Sequence, residues 1–142
     1  MHAPAFPLDL QTQRKLEQLV ELLSAAPGYG PRIHRVPPVS SRMRVALGAC
    51  HLMIDVDAAG VTFAMTLVPP IAQAQRWLPQ LLRVCSPEWS QGIPVRACVA
   101  TTRPMLIASP TGLQADDWFR CLTRMRRVLE GIDTASRRES VR

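Results

Sequence analysis

Residues 43–68 read MRVALGACHLMIDVDAAGVTFAMTLV, and the fold turns on how that stretch is parsed. Met43, Val45 and Leu47 alternate with Arg44 and Ala46. After Gly48-Ala49 the apolar positions become Cys50, Leu52, Ile54 and Val56. A straight strand cannot move its apolar set to the other parity, so a turn or a bulge is required at Gly48. Asp57-Ala-Ala-Gly60 is a second turn signal, because Asp caps its own backbone and Gly supplies a positive φ. Val61, Phe63, Met65 and Leu67 then restart the alternation. Read as two turns, the stretch is a three-stranded antiparallel meander.

Upstream, Leu16, Leu19, Val20 and Leu23 follow helical spacing behind a capping Asp9 or Thr12, and Pro27-Gly28 stops that helix. PGYGPRIHRVPPVSS (27–41) carries four prolines and reads as loop or extended chain. Downstream, Pro69-Pro70 ends the third strand. In AQAQRWLPQLLRVCS, Pro79 costs about 3 kcal/mol inside a helix and little in its first turn. A short helix from near Leu78, after a separate turn around Ala72 to Trp77, is therefore expected. SPEWSQG (86–92) reads as loop. Ile93, Val95, Ala97 and Val99 begin a second hairpin that turns near Thr102-Arg103, with Pro94 and Pro104 confined to strand starts or an edge. A final amphipathic helix from Gln114 to Ile132 carries Trp118, Leu122, Met125, Leu129 and Ile132, with acids in its first turn and arginines toward its end.

The expected order is αβββαββα: an α+β fold, about five antiparallel strands with three helices packed on one face. The expected organisation is a flexible arm (1–8), one domain (9–132) and a flexible basic tail (133–142). A sheet covered on one face leaves its other face in need of a partner.

With 47% hydrophobic and 20% charged residues, the chain is ordinary globular material rather than disordered. It has no apolar run near the ~20 residues of a membrane span, and its first residues lack the pattern of a secretory signal. Cytoplasm is the expected compartment, with Cys50, Cys85, Cys98 and Cys121 reduced. The net charge is +6, and residues 72–142, whose basic residues are all Arg, carry +5 of it. The Arg bias alone is weak evidence for recognition, and it leaves an acidic protein partner and a nucleic acid both open.

Catalytic patterns are sparse. The chain holds no G-x-S-x-G, Walker loop or H-E-x-x-H, and no C-x-x-C pair. Cys50 and His51 are adjacent on a strand and so point to opposite faces. Asp55 and Asp57 share a face beside a turn, where capping is the commoner role. No enzyme, metal site or cofactor is expected. Arg120, Arg124 and Arg127 form a basic stripe, but the chain is only 5% aromatic and offers no strand-borne stacking pair for nucleic-acid bases.

The leading helix LEQLVELL, the meander turning at Gly48-Ala49 and Asp57 to Gly60, and the segment WLPQLLRVCS together resemble the class I type III secretion chaperones, the Tir-chaperone family. The resemblance covers roughly Asp9 to Ile132. It implies a non-enzymatic homodimer that binds the N-terminal region of a secreted effector and keeps it secretion-competent. It further implies a dimer interface on the second helix at Trp77, Leu78, Leu81 and Leu82. Effector-binding patches are implied at Leu16, Leu19, Leu23, Val45 and Leu47. Family members are commonly acidic, whereas this chain has a pI near 10.1. The alternative is a basic α+β module that binds nucleic acid or another polyanion.

Overall fold

The computed structural model describes residues 10–25, 33–35, 42–57, 60–100, 102–110, 112 and 114–140. The expected N-terminal arm, the helix stop at Pro27-Gly28 and the cap at Asp9 lie outside these residues.

The turn at Gly48 decides the topology. Strand β2 (Arg42–Leu47) pairs antiparallel with β3 (Cys50–Asp57), with Leu47 opposite Cys50, so only Gly48 and Ala49 make the turn. Gly48 sits at φ +59, the left-handed first position of a two-residue hairpin turn. A Cβ there would also lie 2.8 Å from an Arg126 guanidinium nitrogen and 3.0 Å from a Glu130 carboxylate oxygen. The parity change is therefore a turn and not a bulge. Strand β4 (Gly60–Leu67) completes the meander, with Asp57 opposite Gly60.

A further strand precedes it. β1 (Ile33–Arg35) pairs antiparallel with β2, so the sheet has six strands where about five were expected. Pro31, Pro37 and Pro38 flank this segment without interrupting it, which leaves enough backbone donors for one short edge strand. The second hairpin is β5 (Val95–Ala100) with β6 (Arg103–Ala108), and the sheet order is β1-β2-β3-β4-β6-β5. Pro104 is tolerated in the interior strand β6 because the β4 ladder begins one residue later, at Met105.

Helix α1 spans Leu10–Ala25. A 3₁₀ turn at Ala74–Trp77 leads into α2 (Leu78–Arg83), which places Pro79 in the first turn, where the missing N–H costs nothing. The expected loop at 86–92 contains one helical turn, α3 (Pro87–Ser90). Its signal is Ser-Pro-Glu: the Ser86 hydroxyl accepts from the Trp89 N–H, Pro87 opens the turn, and Glu88 meets the positive end. Helix α4 (Ala115–Ser140) runs past the expected end at Ile132. Ile132 and Asp133 are buried, Asp133 holds Arg137 at 3.1 Å, and Glu139 reaches Arg76 at 2.7 Å, so residues 133–140 continue the helix.

All four helices gather on one face of the sheet. α4 lies over β3, β4 and β6 with α1 beside it, and α2 packs on β5 and β6. The inward residues form rows across the strands. Ile54, Phe63 and Ala108 make one, and Leu52, Met65 and Leu106 another, each residue at most 1% exposed. Phe63 meets Trp118 of α4 edge to face, with ring centroids 5.6 Å apart.

Candidate functional site

Each strand that buries one parity presents the other, and no described element covers the second face of the sheet. Register assigns the side chains there. Arg44, Met53, Ala64, Ile107 and Arg96 lie in one row across β2, β3, β4, β6 and β5. Ala46, His51, Thr66, Met105 and Cys98 form the next. Arg44, Arg96 and Arg103 are exposed, while Met53, Ala64, Met105 and Ile107 are half-buried by one another. Arg44, His51, Met53, Ala64, Arg103 and Met105 line a concavity of about 370 Å³ on this face. The small outward side chains of β4 form its floor, and the longer ones of β3 and β6 form its walls.

The electrostatics are one-sided. Arg42 bonds Asp55, and Asp57 stands at the end of β3; no other strand carboxylate lies on this face among the described residues. Arg44, Arg96 and Arg103 form no ion pair among the described residues, so three cations face solvent around an apolar centre.

The residues singled out from sequence fall elsewhere. Leu16, Leu19, Leu23, Val45 and Leu47 all lie in the core beneath the helices. The α2 quartet divides by helical geometry. Trp77 and Leu81 point into the core, whereas Leu78 is half-buried and Leu82 is 53% exposed. Beside α2, a groove against α4 is lined by Val84, Trp89, Val128 and Ile132, with Arg83 and Arg127 among its polar members. The basic stripe on α4 is broken up: Arg120 lies 3.8 Å from Asp117, and Arg124 donates to the Trp89 carbonyl.

Among the described residues no group of three His, Cys, Asp or Glu stands together. Cys50 is buried and His51 exposed, on opposite faces of β3. Burial, with the Glu130 carboxylate adding to it, pushes the Cys50 thiol from its ordinary 9.0 up to about 12. Burial pushes Cys121 up to about 11, against the opposing Arg124 charge. Both stay protonated and unreactive near neutral pH. Ellman's reagent at pH 8 is therefore expected to modify exposed Cys98 first and Cys85 next, and to reach Cys50 and Cys121 only on unfolding. The same shifts set an alkaline limit. Stability from keeping these thiols protonated is complete below pH 9 and is lost as pH rises toward about 11 and 12. Urea midpoints are expected to fall between pH 9 and 11.

The fold and its surfaces together define a helix-backed α+β domain with one face of its antiparallel sheet left uncovered by the described elements. The chain belongs to the SsaM family, a type III secretion-associated family, whose model matches residues 9–132. No curated protein and no solved structure matches the chain. No helix among the described residues is long and apolar enough to cross a membrane.

Proposed function

We propose that the protein is a non-enzymatic, cytoplasmic type III secretion chaperone, acting as a homodimer that holds the N-terminal region of a secreted effector in a secretion-competent state. Membership of a secretion-associated family supports the setting. The carrying observation is Leu82: a large apolar side chain, 53% exposed, beside half-buried Leu78 on the short helix where the class I resemblance places dimer contacts. Leu78 and Leu82 are one turn apart on the outer side of α2, and pairing with a second copy removes both from water. Trp77 and Leu81 serve that interface from behind, by fixing α2 to the core. The buried leucines of α1 and β2 act in the same indirect way. Their packing shapes the domain, and the effector chain takes the surface left exposed.

The purified protein is expected to sediment at twice the 15.8 kDa chain mass. Leu82→Asp is expected to yield a folded monomer, because its side chain contributes little to the single-chain core. Co-expression with proteins encoded beside it should co-purify the N-terminal region of one of them. A monomeric wild-type protein that captures no such segment overturns the reading.

A further inference from the structure

We infer that the open sheet face is a docking site for an acidic amphipathic α-helix of a partner protein, laid along the strands over β4. The width of the surface selects the occupant. Neighbouring strands lie about 4.8 Å apart, so Met53 to Ile107 spans roughly 10 Å, close to the diameter of one helix with its side chains. Arg44 and Arg96 stand one strand further out on either side, roughly 19 Å apart. A helix seated on the Met53–Ala64–Ile107 centre puts its apolar stripe against the trough. Glu and Asp on its two flanks then come within reach of Arg44 on one side and of Arg96 and Arg103 on the other. The β4 positions beneath it, Thr62, Ala64 and Thr66, are short enough to admit a ridge of side chains.

Charge excludes a second copy, and the apolar centre argues against a nucleic acid. A second copy set face to face would oppose Arg44, Arg96 and Arg103 with the same three residues. On the strands of that face the compensating carboxylates are Asp55, which Arg42 already holds, and Asp57 at the strand end. A nucleic acid would meet an apolar centre of Met53, Ala64 and Ile107 that offers its bases no Phe, Tyr or Trp ring. This surface and the α2 leucines share no residue, so the inference does not depend on the protein being a dimer or a chaperone.

The test uses the full chain, ¹⁵N-labelled, and an 18-residue helical peptide with a leucine stripe flanked by glutamates. Binding is expected to shift the amides of Met53, Ala64, Met105 and Ile107, and to weaken as salt is raised. Arg44→Glu with Arg96→Glu is expected to weaken binding about tenfold or more while the circular dichroism and melting midpoint stay unchanged. Ile107→Asp should abolish it. Shifts confined to the α2–α4 groove, equal binding of a lysine-flanked peptide, or displacement by a short oligonucleotide at equal charge each overturn the inference. So does the absence of any shift at millimolar peptide. Leu82→Asp should bind the peptide as tightly as wild type, which separates this outcome from the fate of the dimer.

Discussion

Phe63→Ala is expected to lower the unfolding free energy by about 3–5 kcal/mol, read as a fall in urea midpoint with little change in slope. Phe63 is fully buried between Ile54 and Ala108 in its row, with its ring against Trp118. Truncation therefore removes the sheet side of the main contact between β4 and α4. A cavity there cannot be refilled from the strands, whose spacing is fixed by the ladder, and α4 is seated on the sheet by its buried Trp118, Leu122, Met125 and Leu129, with Arg126 and Glu130 against the Gly48 turn at mid-helix. For a domain with total stability of about 5–15 kcal/mol, such a loss is a large share. Trp118→Phe should cost much less. The indole N–H is buried with no hydrogen-bond partner among the described residues, so its removal forfeits no bond and relieves an unsatisfied donor. Equal losses for the two variants would refute this account of the packing.

Leu19→Ala is expected to cost about 2–5 kcal/mol and to loosen α1 from α4, seen as new protease cleavage within residues 10–25. Leu19 is fully buried on the helix face that meets α4. Leu82→Ala, the same chemical deletion at an exposed position, should change single-chain stability by less than about 0.5 kcal/mol. The pair separates internal packing from an outward-facing side chain, at two positions to which the family resemblance gives an effector-binding patch (Leu19) and a dimer interface (Leu82). If Leu19→Ala leaves stability untouched and abolishes partner binding instead, α1 is a docking element and the packing described here is wrong.

Why these roles are hard to separate in sequence is a matter of what a pattern encodes. Apolar residues at helical or strand spacing say which positions share a face, but not whether the chain itself covers that face. Leu16, Leu19 and Leu23 gave a clean stripe, and only the position of α4 shows that the stripe is satisfied internally. In α2 the stripe is too short for periodicity to separate Trp77 and Leu81 from Leu78 and Leu82. The turns, by contrast, were legible because they rest on backbone chemistry local to a few residues. Gly48 marks a positive φ, and Pro79 marks a first helical turn. β1 was obscured by its flanking prolines, and α3 by its brevity, although Ser86-Pro-Glu is a good capping sequence. The open face was hardest to read. Its members alternate with the core set on five strands, and only the register aligns Arg44, Met53, Ala64, Ile107 and Arg96 into one row.

The position of α4 in the chain has a consequence for biogenesis. The last strand ends at Ala108, yet the helix that seals the inward face, about 39 Å long at 1.5 Å per residue, occupies residues 115–140. While the chain is being made, β3, β4 and β6 are available before α4 exists to cover them. Leu52, Phe63, Met65 and Leu106 must wait for Trp118, Leu122, Met125 and Leu129 to emerge. Domains fold in the order of synthesis, but this one cannot close its core until α4 is free. A chain interrupted after Ala108 thus exposes an apolar sheet rather than forming a smaller working protein.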